Sequence, residues 1–170
     1  EKGRHTISLL SGHIGGGNQL TLEIAAKLNS CPVITTATDV QNVTALDLLS
    51  KELNGWYADF KETTKRVNRL LAEHQAVGLI QRGNWVRDLR GLSLLKEGDS
   101  FNSYEAVLLI SDKREELESE KIIQIVPRRY VLGIGAKKGI DFSIIKEEYL
   151  AFCQSINIHF RSIKKIVSID

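Results

Sequence analysis

The sequence predicts an α/β protein built as two small domains with mainly parallel sheets and glycine-rich strand-to-helix loops. Three observations carry that expectation. Short β-branched, apolar runs alternate with stretches whose apolar residues recur at helical spacing. The alternation continues along most of the chain, at a spacing that suits βα units. Two of the strand-to-helix turns, around Gly12–Gly17 and Gly133–Gly139, are rich in glycine. Parallel sheets hold ligands at the carboxyl ends of their strands, and both loops read as such ends.

Thr6 to Leu10 is β-branched and apolar enough for a buried strand, and Leu20, Ile24, Ala25 and Leu28 form a helical stripe after the glycines. Ser30 to Asp39 reads as a loop, a strand over Val33 to Thr36, and a polar end at Thr38-Asp39. The next helix carries Ala45, Leu48, Leu49 and Leu53 and stops at Asn54-Gly55. Thr64, Val67, Leu70, Leu71 and His74 make another helical pattern, leading to a strand at Val77–Ile80. Gln81 to Ser103 is the least regular part, with turns at Gly83, Gly91 and Gly98.

Ala106–Ile110 reads as a strand, Ser111–Lys121 as an exposed helix or loop of alternating charge, and Ile122–Val126 as a strand closed by Pro127. Pro127-Arg128-Arg129 is the expected domain junction. It divides a region over 1–127, with an irregular linker from about 82 to 127, from a second α/β domain that starts at 128 and is truncated at 170. There Tyr130–Leu132 is a strand and Asp141 an N-cap. Ile145, Tyr149, Phe152, Cys153 and Ile156 line a helix, and Lys165–Ile169 is a further strand.

Composition narrows the function classes. A net charge of +2 over 170 residues gives no polybasic surface for nucleic acid or membrane, and Arg128-Arg129 and Lys164-Lys165 read as solvated pairs. No apolar run approaches the ~20 residues of a membrane span, and no signal segment opens the chain, so a cytoplasmic protein is expected. Cys31 and Cys153 stand far apart, with no Cys or His at metal-ligand spacing, so neither a metal site nor a disulfide is expected. With no methionine in the sequence, the chain reads as a piece of a longer one.

The first loop is the leading candidate site. It lacks the Lys-Ser/Thr of a P-loop, and Gly12-x-x-Gly15-Gly16-Gly17 is not GxGxxG. A tight turn would explain the glycines alone. Ser11, His13 and Asn18 add three hydrogen-bonding side chains, which serve a polar ligand better than they serve packing. Amides at Gly12, Gly15, Gly16 and Gly17 could receive an anion or a developing oxyanion. His13 is the candidate general base or acid. Asp39 either orients His13, takes a proton itself, or caps the following helix; Thr36 and Thr38 could donate to a ligand. In the second loop the third glycine comes one residue late and no acidic residue follows at dinucleotide spacing, so NAD is not expected. Gly133, Gly135, Lys137 and Lys138 there suit a carboxylate or phosphate, or are simply a solvated helix start.

Gly3-Arg4-His5 with ISLLSGHIGGGN, then PVITTATD, then the strand entering Gly133-Ile134-Gly135, resemble the CbiG family in order and spacing. This is the cobalt-precorrin-5A hydrolase family of anaerobic cobalamin biosynthesis. The chain departs from the family pattern at Gly17, Gln19, Gln41-Asn42 and Ala136; the last stands where the family often has Cys. The resemblance implies a central plus partial C-terminal region of a cytoplasmic hydrolase. Its reaction would open the ring-A δ-lactone of cobalt-precorrin-5A and release acetaldehyde. It implies a corrinoid substrate and no resident cofactor, since cobalt arrives inside the substrate. Sheet edges and a domain cleft offer surfaces for a homodimer. A non-catalytic corrinoid carrier and an α/β nucleotide-binding protein are the alternative readings.

Overall fold

The computed structural model describes residues 12–96, 98–117 and 119–168. The expected strand at Thr6–Leu10, the Gly3-Arg4-His5 motif and Ser11 lie outside the described residues. Along the chain come α1 (Gly17–Leu28), α2 (Ala37–Val40), α3 (Leu46–Leu53), β1 (Gly55–Trp56), α4 (Phe60–Ala72), β2 (Val77–Gln81) and β3 (Leu92–Leu94). They are followed by β4 (Ala106–Ile110), β5 (Ile122–Pro127), β6 (Tyr130–Ile134), α5 (Phe142–Ser155), a 3-10 turn (Phe160–Ser162) and β7 (Ile163–Ser168). The architecture is mixed α/β with mainly parallel strands.

The larger sheet has the order β1-β5-β4-β2-β3, with β5, β4, β2 and β3 parallel and β1 antiparallel at one edge. All five residues of β4 are buried, as expected of a central parallel strand covered on both faces. That is why Ala106-Val107-Leu108-Leu109-Ile110 is a continuous apolar run rather than an alternating one. One face, with Val77, Leu79, Leu108, Ile110 and Ile125, packs against Leu46 and Leu49 of α3 and Val67 and Leu71 of α4. Buried Val107 points to the other face, where Leu95 crowds Gly78 so closely that an added Cβ would stand 2.6 Å from it.

Helix α3 ends where its sequence says it should, with Asn54 in the left-handed region at φ 47. Helix α4 starts earlier than its apolar stripe, at Phe60, and stops at Ala72, so His74 falls beyond it at φ 53. Two expectations fail. Residues 33–36 form no strand, because no neighbouring strand among the described residues supplies a ladder, and β-propensity without one does not hold an extended segment in a sheet. Val33 is largely exposed, and Thr36 is instead the N-cap residue of the one-turn helix α2, which contains Thr38 and Asp39. Conversely, the stretch read as irregular contains edge strand β3, whose three residues give too little pattern to read. The charged segment after β4 is a loop, not a helix, for which Ser111 donates to Glu115 at 2.5 Å and Arg82 pairs with Glu115 at 2.8 Å.

After Pro127, Arg128 and Arg129 lead directly into a second, two-stranded parallel sheet, β6-β7, with α5 as its crossover. Asp141 caps α5 by accepting from the Ser143 amide at 2.7 Å. Tyr130 Oη donates to Asp112 at 2.6 Å, and the His159 amide donates to the Asp112 carbonyl at 2.9 Å. The loop after β4 is thereby fastened to the second unit.

Candidate active site

The first glycine loop turns on Gly16, whose φ of 76° is a conformation that a side chain would strain. Its amide donates to the His13 carbonyl at 3.1 Å and the Asn18 amide to the Gly12 carbonyl at 2.9 Å. Of the four glycine amides expected to receive an oxyanion, that of Gly16 is therefore already engaged within the loop. A Cβ on Gly12 would stand 2.7 Å from Asn18 Oδ1 and 2.8 Å from Thr36 Cγ2. Glycine is needed there so that the loop and residue 36 can approach each other. Gly17 is buried as the first residue of α1, and Gly15 is exposed.

His13 lies between two carboxylates. Its Nε2 stands 3.0 Å from Asp39 Oδ2 and its Nδ1 3.1 Å from Asp47 Oδ2. An imidazolium satisfies both contacts, while a neutral ring has one proton to give. The side chains of His13 and Asp47 are nearly buried, at 9% and 8% exposure, whereas Asp39 is 38% exposed. Asp39 Oδ2 also accepts from Asn18 Nδ2 at 2.7 Å and from the Thr36 hydroxyl, and Asn18 Nδ2 lies 3.1 Å from Thr36 Oγ1. Burial raises the Asp39 carboxyl, but the hydrogen bonds from Thr36, His13 and Asn18, with the charge of His13, outweigh burial. The group sits below its ordinary value. Asp39 is thus an ionised acceptor at neutral pH. Thr38 is buried, and its carbonyl accepts the Val43 amide at 3.0 Å in the turn after α2.

Two members of this cluster escape a reading of the sequence. Asp47 stands in the first turn of α3, where an acidic residue is ordinary. Asn68 lies inside α4 beside buried Val67, donates to Asp47 Oδ1 at 2.9 Å, and accepts the Leu46 amide at 2.8 Å. An asparagine within a helix, next to its apolar stripe, is the one signal that could have drawn attention, since Asn disfavours helix interiors.

The second loop stands apart. Among the described residues no hydrogen bond or ion pair joins it to the first. Lys137 and Lys138 are exposed, and a Cβ on Gly133 or Gly135 would meet nothing within 4 Å. With Ile140, Ile144, Tyr149 and Phe152, the loop lines a cleft of about 760 Å³. Among the described residues no group of three or more His, Cys, Asp or Glu side chains is set to hold a metal ion, and no helix is long and apolar enough to cross a membrane.

Two family models match the chain: Cobalamin synthesis G N-terminal over residues 1–39 and Cobalamin biosynthesis central region over residues 44–127. The chain belongs to the CbiG family. A cobalt-precorrin-5A hydrolase of Salmonella typhimurium is 38% identical over 152 residues, covering 85% of this chain and 43% of the relative. One from Priestia megaterium is 28% identical over 183 residues, covering 100% and 49%. The chain thus spans less than half the length of these curated relatives. A solved cobalamin biosynthesis protein G homolog from Sulfolobus solfataricus superposes with a TM-score of 0.36 at 21% identity. That match covers 95% of this chain and 46% of the other. Within the CbiG chain, His13, Asn18, Thr36 and Asp39 fall in the part matched by the N-terminal model, and Asp47 and Asn68 in the part matched by the central one. The cluster is assembled across that seam.

Proposed function

We propose that this chain carries the proton-transfer centre of a cobalt-precorrin-5A hydrolase. The observation that carries the reading is His13, in a loop of the CbiG family, with Nε2 set 3.0 Å from an ionised Asp39 at the exposed edge of a polar cluster. Lactone opening begins with water, which a positioned base makes nucleophilic. In this reading Nε2 exchanges its 3.0 Å contact with Asp39 for a water, which gives a proton to His13 as its oxygen adds to the ring-A lactone carbonyl. The lactone C–O bond then breaks and the alkoxide takes the proton back. The freed hydroxyl loses its proton as the carbon–carbon bond to the macrocycle breaks, which releases acetaldehyde and leaves the macrocycle to gain a proton.

Asp39 holds the water and balances the imidazolium, because a carboxyl whose pKa is depressed is a poor proton carrier at neutral pH. Asn18 and Thr36 fix its oxygen. Lys137 and Lys138 beside Gly133 and Gly135 would grip acetate and propionate arms of the substrate. The reading includes a cytoplasmic setting, a homodimer, and no resident cofactor, cobalt being carried by the substrate; neither nucleic acid nor membrane is a partner. Anaerobic incubation of the full-length protein with cobalt-precorrin-5A, with trapping of acetaldehyde and the mass of the product, tests it. Acetaldehyde release lost in His13→Ala is the expected result. Release unchanged in that variant moves the chemistry elsewhere, and corrinoid binding without release makes the protein a carrier.

A further inference from the structure

The two carboxylates on His13 are not equivalent, and the difference assigns a positioning role to a pair of residues that the proposed chemistry does not use. Asp47 is nearly buried and has both oxygens engaged, Oδ2 by His13 at 3.1 Å and Oδ1 by Asn68 at 2.9 Å. The Asn68 amide cannot turn over without loss, because its oxygen already accepts the Leu46 amide at 2.8 Å. Its NH₂ is therefore committed to Asp47. The first turn of α3 further favours negative charge at Asp47. Asp39, by contrast, is 38% exposed and shares one oxygen among His13, Asn18 and Thr36.

When a single proton is left on the ring, it goes to the nitrogen whose acceptor is better shielded from water and less satisfied by other donors. That nitrogen is Nδ1. We infer that Asp47, held by Asn68, fixes the His13 proton on Nδ1 and thereby leaves Nε2, on the exposed side, as the nitrogen that works. Asp47 and Asn68 are positioning residues; neither needs to touch substrate. Because α3 and α4 supply them while α1's loop supplies His13, packing of the helices against the sheet sets the ring's orientation.

The inference rests on the proposed role of His13, and its test separates the two. Nitrogen-15 spectra of the His13 ring, assigned by loss of the signal in His13→Gln, are recorded as pH is raised until the ring keeps one proton. The intact chain is expected to show the Nδ1–H form and Asp47→Asn the Nε2–H form, with Asn68→Ala between them. An Nε2–H form in the intact chain overturns the inference without recourse to any variant that might fail to fold, and so does an Asp47→Asn ring that stays Nδ1–H. In the full-length protein, Asp47→Asn should lower kcat by roughly 10²–10⁴-fold with little change in KM; unchanged kcat overturns the role. If the unsubstituted full-length protein releases no acetaldehyde, the proposed function fails and the ring spectra still decide the positioning.

Discussion

The Asn18 amide donates to Asp39 Oδ2 at 2.7 Å, the same oxygen that faces His13 Nε2 at 3.0 Å. A side chain of α1 and one of the glycine loop thus meet on a residue of α2, and the loop is bound to the following segment through charged, part-exposed contacts rather than apolar packing.

The Asp39 carboxyl lies below its ordinary value of about 3.9, so its ionised form stabilises the fold at neutral pH. That contribution is complete above about pH 4 and fades as pH falls through the lower, folded-state value. Asp39→Asn should therefore be less stable than the parent at pH 7, and the difference should shrink toward pH 3. Urea unfolding at both pH values reads it; a difference that grows on acidification contradicts the assignment.

Gly12→Ala places a methyl 2.7 Å from Asn18 Oδ1 and 2.8 Å from Thr36 Cγ2, so the loop must move away from residue 36. A loss of roughly 1–3 kcal/mol is expected. Gly133→Ala meets nothing within 4 Å and should change stability by less than about 0.5 kcal/mol. Similar losses from the two would show that the first loop is not packed as described.

Leu108 is fully buried at the centre of β4, between α3 and α4 on one side and its strand neighbours on the other. Leu108→Ala should cost about 2–5 kcal/mol in urea unfolding, the usual range for a cavity left in a core. Leu94, on edge strand β3 and 59% exposed, should cost far less when changed to Ala. Equal costs would place β4 outside the core.

Cys31 is exposed and Cys153 is 2% exposed. Burial pushes the Cys153 thiol up, with a hydrogen bond to Tyr149 acting in the opposite sense, so it offers little thiolate as well as little access. A chromogenic disulfide reagent should titrate one thiol promptly in the native protein and the second only in denaturant. Prompt reaction of both would show that the face of α5 that bears Cys153 is not covered.

The strands at Val77–Ile80 and Ala106–Ile110 are legible because a strand inside a parallel sheet is covered on both faces and reads as an apolar run; β2 extends one residue further, to Gln81. The stop of α3 at Asn54 and the cap of α5 at Asp141 were legible because both depend on one residue and its immediate neighbours. Residues 33–36 misled because the same β-branched composition serves a strand only where a partner strand stands beside it. In the site, His13, Asn18 and Asp39 could be picked out by their place in two motifs. Asp47 could not, since its meeting with His13 joins residues 34 positions apart.

By itself the sequence determined the α/β class, the buried strands β2 and β4, the stop of α3, the start of α5 and the family, because each is written in local composition or in short motifs. Only the tertiary structure decided which side chains share the site. Packing of α3 and α4 on the sheet brings Asp47 and Asn68 to the His13 ring, and a separation of 34 residues leaves no periodic trace by which that meeting could be read beforehand. It also decided that Thr38 and Asp39 sit in a one-turn helix rather than at a strand end, because backbone hydrogen-bond partners, not propensity, select between the two.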